Sequence, residues 1–265
     1  MWLSIDNMAV PEQLHELVAY VSTGLKNGDP TVIGVLVSLA VVFLTIVFLT
    51  IRGQKGSKRQ GILLTGICDS GKTLLFSRLV YKSFKTTFTS IKVNSGTLKI
   101  PEKNKSIPVV DLPGHERLRS QNLDEHKGLA RGIIFMVDSG AVQKDIKEVA
   151  EYLYTILTDN VISKNSPPVL VACNKQDLTL CKGATVIKSL LEKELNTLRM
   201  TRGAALQGTD NSANNNVYLG RHNKDFEFAD LKSFQVEFVE CSARGKSEES
   251  NGDTECVLEW IARVA

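Results

Sequence analysis

At 265 residues, 43% hydrophobic and 23% charged, the chain has material for one sizeable folded domain and little more. Its 32 basic and 29 acidic residues leave a net charge of +3 and are spread along the sequence, so no direct nucleic-acid binding is expected. Five cysteines (Cys68, Cys173, Cys181, Cys241 and Cys256) show neither C-x-x-C pairing nor His/Cys metal spacing, and read as reduced thiols in a cytosolic body.

Residues 1–30 are too few to fold alone. Leu14, Leu17, Val18, Val21 and Leu25 recur at helical spacing, which predicts a short amphipathic helix against a bilayer. From Thr31 to Ile51 the chain runs 21 residues without a charge. A helix of that length spans roughly 31 Å, the thickness of a bilayer's hydrocarbon core. A buried core helix would be shorter and carry a polar face, so residues 31–51 are expected to cross the lipid bilayer once. Lys26 is the only Lys or Arg before the run, whereas Arg52, Lys55, Lys58 and Arg59 follow it. The excess of positive charge places the N-terminus outside the cytosol and everything after Ile51 in it. Residues 52–60 then form a basic tether.

Residues 61–265 alternate apolar strands with amphipathic helices. GILLTG, IPVVD, GIIFMVD, PPVLVAC and VEFVE suit a buried, mostly parallel sheet, while IKVNSGTLKI alternates as an edge strand does. Helix faces are marked by Val142, Ile146, Val149, Leu153 and Ile156, by Val186, Ile187, Leu190, Leu191, Leu195 and Leu198, and by Val257, Leu258, Ile261 and Val264. The pattern predicts a doubly wound α/β fold with its working loops at the strand C-termini. Residues 201–225, rich in Asn, Gly and Ser, read as a flexible insertion.

Four motifs carry chemistry. GICDSGKT places Gly66, Asp69, Ser70, Gly71, Lys72, Thr73 and then Leu74 between a strand and a helix. In that setting the backbone N–H groups wrap phosphates, Lys72 neutralises their oxygens and Thr73 offers a hydroxyl to Mg²⁺. DLPGHE, again at a strand end, supplies Asp111 to hold Mg²⁺ through water and the Gly114 N–H to sense a γ-phosphate. VACNKQD supplies Asn174, Lys175 and Asp177; the Asp177 carboxylate matches guanine N1–H and its 2-amino group, and adenine would leave that charge unpaired. CSARG adds Ser242 and Ala243, the latter's N–H placed for guanine O6. A further Mg²⁺ ligand is sought among Thr86, Thr87, Thr89 and Ser90, with Thr89 the best placed before the edge strand. His115 stands where an amide would align the attacking water, and is the candidate for that task. The ligands implied are GTP and Mg²⁺.

The run G-x-x-D-x-G-K-T, D-L-P-G-H-E, N-K-Q-D and C-S-A resembles the Arf/Sar branch of small GTPases. Together with the apolar N-terminal run and LLEKELNTLRMTR, it resembles the beta-subunit family of the signal recognition particle receptor. That resemblance implies a P-loop small-GTPase fold, six mostly parallel strands with helices on both faces, behind one transmembrane helix. It also implies residence in the endoplasmic reticulum membrane and a partner, the receptor's alpha subunit, whose N-terminal domain docks on the switch surface. Through that subunit it implies indirect contact with signal recognition particle and ribosome. An Arf- or Sar-type trafficking GTPase and a non-catalytic GTP-bound scaffold are the alternatives. A permanent span opposes the first, and single-turnover hydrolysis with and without the partner separates the second. Gly96 and residues 201–225 are where the chain is expected to differ from relatives.

Overall fold

The computed structural model describes Thr23 and residues 26–54, 59–206, 218–221, 223–231, 233–245 and 252–265. The amphipathic helix expected within residues 14–25 lies outside the described residues, as do positions 55–58 of the tether and 207–217 of the insertion. The chain divides into two units, residues 1–57 and 58–265.

The described part of the first unit is α1, Pro30–Gln54, which is long and apolar enough to cross a membrane. Val35, Leu39 and Phe43 on it are 59, 60 and 67% exposed, so its own unit does not bury it. Exposed apolar surface on this scale is unfavourable in water and suits a lipid environment.

In the second unit six strands form one sheet: β1 Gly61–Thr65, β2 Asn94–Ile100, β3 Lys105–Asp111, β4 Ala130–Asp138, β5 Val169–Asn174 and β6 Val236–Glu240, in the order β2-β3-β1-β4-β5-β6. All neighbours run parallel except β2, which pairs antiparallel with β3. The alternating apolar pattern does fall on an edge strand, though pairing begins at Asn94 rather than Ile91.

The central strands read as unbroken apolar runs because both of their faces are covered. Side chains alternate across the sheet. Leu63, Ile133, Phe135 and Val171 meet one helix layer, built on α4 (Val142–Thr158) and α6 (Ala184–Leu206). Ile62, Leu64, Ile134, Met136 and Leu170 meet the other, built on α2 (Lys72–Tyr81) and α7 (Glu255–Val264). Truncating a fully buried side chain such as Phe135 or Trp260 to alanine would cost about 3–5 kcal/mol.

Two further helices, α3 (Glu116–His126) and α5 (Asn160–Asn165), have no apolar stripe to announce them. The loop expected from Thr201 starts later, since α6 continues to Leu206. The returning chain is anchored. Buried Arg199 of α6 donates to the main-chain oxygens of Leu219 and Arg221, both at 3.1 Å, and of Lys224. Leu219, Phe226 and Phe228 are buried beside it.

Because β1 lies between β3 and β4, the strand order reverses there. The crevice that opens at the strand C-termini gathers the loops after β1, β3, β4, β5 and β6 along one edge.

Candidate guanine-nucleotide site

The loop after β1 begins at Gly66 and folds into a nest. Asp69 (φ 59°) and Gly71 (φ 91°) are both left-handed, and Gly71 is the N-cap of α2. That alternation turns successive N–H groups inward at a helix N-terminus, where an anion is favoured. A cleft of about 360 Å³ lies over it, lined by Asp69, Gly71, Lys72, Thr73 and Leu74 with Thr89, Ser90, Gly114 and Lys175.

Lys72 is buried, and its Nζ donates to the Ile67 carbonyl at 2.6 Å and to Ser70 Oγ at 3.4 Å. Burial pushes the ammonium's pKa down, opposed by the charges of Asp111, Cys68 and Asp69. Gly114 sits against this lysine: a β-carbon there would lie 2.6 Å from Lys72 Nζ and 2.7 Å from the Ile67 carbonyl. No residue with a side chain fits the turn.

Asp111 ends β3 fully buried. Its Oδ2 accepts from Thr73 Oγ1 at 2.8 Å and from Asn94 Nδ2 at 3.0 Å, while its Oδ1 has no hydrogen-bond partner. Burial raises this carboxyl above the ordinary carboxylate range, with the Asn94 and Thr73 bonds and the Lys72 charge holding it back. A buried, half-satisfied carboxylate beside a threonine hydroxyl is a donor set that fits a hard divalent cation. Ser90, not Thr89, bonds Thr73 here, Oγ to Oγ1 at 2.9 Å. Thr89 lines the cleft with its side chain exposed.

The base side is braced within the protein. Asn174, 2% exposed, donates from Nδ2 to the Ser70 carbonyl at 2.8 Å and accepts the Ala243 N–H on Oδ1 at 2.9 Å. The Ala243 N–H expected at a guanine O6 is thus bonded to Asn174 in this structure. Ser242 Oγ donates to Asp177 Oδ1 at 2.6 Å and accepts the Gly245 N–H at 2.8 Å. Asp177 itself is exposed and retains acceptor capacity.

Two residues that sequence reasoning passed over belong to this wall. Asp138, ending β4, accepts Lys175 Nζ at 2.6 Å and the Gly140 and Ala141 N–H groups. Gln176 donates to Ser139 Oγ and the Lys182 carbonyl, both at 3.0 Å. The signal for Asp138 was present, a carboxylate closing an apolar strand. His115 caps α3, its Nδ1 accepting the Arg117 N–H at 3.3 Å, and it does not line the cleft.

The family model for the signal recognition particle receptor beta subunit matches residues 57–236. The mouse signal recognition particle receptor subunit beta is 45% identical over 243 residues, covering 91% of this chain and 90% of that protein. This chain belongs to the signal recognition particle receptor beta-subunit family. A structure of the mammalian SRP receptor superposes with a TM-score of 0.67 at 43% identity, covering 78% of this chain and all of that one (100%). An SRb-GTP/SRX complex from Chaetomium thermophilum, at 24% identity and a TM-score of 0.61, covers 77% of this chain and 99% of its own, and shares the beta-subunit fold.

Proposed function

We propose that this chain is the membrane-held, GTP-dependent switch of a signal recognition particle receptor, and that its switch surface receives the N-terminal domain of the alpha subunit. The observation that carries the reading is the Asn174 brace, which locks a guanine-selecting loop to a phosphate loop. Family membership and the GTP and SRX named in the fungal complex point the same way.

GTP and Mg²⁺ fit the residues present. Lys72 and the N–H groups of the nest suit the phosphates, and Gly114 leaves room beside them. The Thr73 hydroxyl and the unpartnered Asp111 oxygen suit Mg²⁺, the latter through water, with Thr89 or Ser90 closing the set from the preceding loop. Asp177, steadied by Ser242, selects guanine, with the Lys175 stem against the base. Bound Mg²⁺ supplies charge neutralisation at the phosphates. His115 orients water through Nε2, since Nδ1 is held by the Arg117 N–H. Hydrolysis is then slow until the partner orders His115.

α1 anchors the protein in the endoplasmic reticulum membrane as a single span, its N-terminus lumenal and residues 58–265 cytosolic. The test is capture of the alpha subunit's N-terminal domain by the full chain in lipid nanodiscs, loaded with GTP, with GDP or with neither. Capture confined to GTP supports the proposal; equal capture in all three states would end it. Protease added outside sealed microsomes should remove residues 58–265, and their protection would reverse the topology.

A further inference from the structure

A line of buried polar side chains runs from the entry of the phosphate loop to the helix that follows His115. Thr65, the last residue of β1, meets Tyr152 of α4 hydroxyl to hydroxyl at 2.6 Å. The Tyr152 ring carries the Arg119 guanidinium, whose carbon lies 4.9 Å from the ring centroid. Arg119 Nη1 then donates to Glu148 Oε1 at 2.6 Å. Thr65, Tyr152 and Arg119 are 0, 2 and 7% exposed, so the line is closed to solvent up to Glu148 at the surface.

Burying a guanidinium is costly, and a half-exposed carboxylate repays only part of that cost. What the burial secures is visible in α3. Among the residues of this helix only Arg119 and Leu123 are buried; Leu118 is half-buried, and the other side chains are polar. An amphipathic helix is normally held by a whole apolar stripe; here a buried guanidinium shares that place with Leu123 and the half-buried Leu118. It also lies one turn after the histidine, its own N–H bonded to the His115 carbonyl at 2.9 Å. Both Arg119 and Glu148 are close enough to act electrostatically on Cys68 in the phosphate loop.

We propose that Arg119 is a positioning residue of the switch. Stacked on Tyr152 and paired with Glu148, it fixes the first turn of α3, and with it Gly114 and His115, against the wall that carries the phosphate loop. This rests on the reading of DLPGHE as a nucleotide switch. Arginine is required because its planar guanidinium stacks and pairs at once; lysine would keep the charge and lose the stack.

The test uses the full chain in lipid nanodiscs, loaded with GTP and Mg²⁺, with hydrogen exchange followed by mass spectrometry. Arg119→Lys, Arg119→Ala and Tyr152→Phe are compared with the unaltered chain. In Arg119→Lys, exchange at the Leu118 and Arg119 amides, both bonded to the His115 carbonyl, should quicken roughly tenfold. Arg119→Ala should exceed that, and Tyr152→Phe, which keeps the ring and loses only the Thr65 bond, should fall below it. Exchange at Leu75, whose amide bonds to Gly71 at the start of α2, should stay unchanged, and GTP affinity should stay within about twofold. Capture of the alpha-subunit domain should fall by roughly five- to tenfold. Unchanged α3 exchange in both Arg119 variants overturns the proposal. So does quickening at Leu75 by the same factor, because Arg119 would then be a general support of the fold. Absence of GTP-dependent capture by the unaltered chain overturns the switch reading instead, and the exchange comparison still decides the role of Arg119.

Discussion

Asn174 Nδ2 donates to the main-chain oxygen of Ser70 at 2.8 Å, across 104 residues of sequence, and so joins the loop after β5 to the loop after β1. The same side chain takes the Ala243 N–H on its other end. Three loops therefore share one buried amide. Asn174→Ala would strand the Ser70 carbonyl and the Ala243 N–H, at about 1–3 kcal/mol for each group left unpaired. Urea unfolding should register that loss, and GTP affinity should fall with it because the loops lose their common brace. Full affinity in a destabilised variant would mean that the brace serves the fold alone.

Asp177 is the exposed end of a short relay in which Gly245 N–H donates to Ser242 Oγ and Ser242 Oγ donates to Asp177 Oδ1. The relay fixes the carboxylate's orientation while leaving acceptor positions for a base. Asp177→Asn replaces one acceptor by a donor, mismatching the guanine 2-amino group and matching the C2 carbonyl of xanthine. The mismatch is worth a few kcal/mol, or about a hundredfold in affinity. Competition between GTP and XTP should therefore reverse in favour of XTP. Unchanged preference for GTP would remove Asp177 from base selection.

Asp111 gives the site its pH dependence. Its folded pKa is raised by burial, so the ionised form is penalised in the folded state. That penalty is absent below the unfolded carboxyl value and is fully present once the pH has risen past the raised folded one. Acidification through this window should relieve the empty domain of the penalty and, in the same window, set protons against Mg²⁺ for the carboxylate. Mg²⁺-dependent GTP affinity should drop at a higher pH than an ordinary carboxylate would dictate. Calorimetry in buffers of differing ionisation enthalpy should detect proton release on Mg²⁺ binding, and Asp111→Asn should abolish it.

What the sequence revealed and what it hid have one physical explanation. Strands buried on both faces must be apolar throughout, so β1, β4 and β5 were legible as runs, and the half-covered β2 as an alternation. The motif loops were legible because phosphate wrapping and base selection demand fixed residue types at fixed spacing. α3 was hidden because its buried face combines an arginine with Leu123 rather than forming an apolar stripe. The order after α6 was hidden because Arg199 captures carbonyl oxygens, which any residue supplies. The contacts of Ser90 and of the Ala243 N–H were hidden for a related reason. Their partners, Thr73 and Asn174, are far away in sequence and near only in the folded chain.

Gly96 lies where the edge strand β2 packs against α2. It sits on β2 opposite Val109, and a β-carbon there would lie 2.7 Å from Val80 Cγ1 and 3.1 Å from the Phe76 ring. Both neighbours belong to α2, the helix that begins at Lys72, and the branched Val80 has little rotamer freedom to retreat. Gly96→Ala should therefore cost about 1–3 kcal/mol through overpacking, against the gain that alanine ordinarily brings to a strand. The strain has two outlets: β2 can lift from the helix, or α2 can shift and take Lys72 and Thr73 with it. Chemical denaturation measures the cost, and hydrogen exchange on β2 and α2 separates the outlets. Paired on one side only, by β3, the edge strand β2 is the softer element and should be the one that loosens. GTP affinity close to that of the unaltered chain, with faster exchange at Ser95 and Thr97, is the expected result; a stabilised variant would show that the contact across Gly96 is looser than its geometry requires.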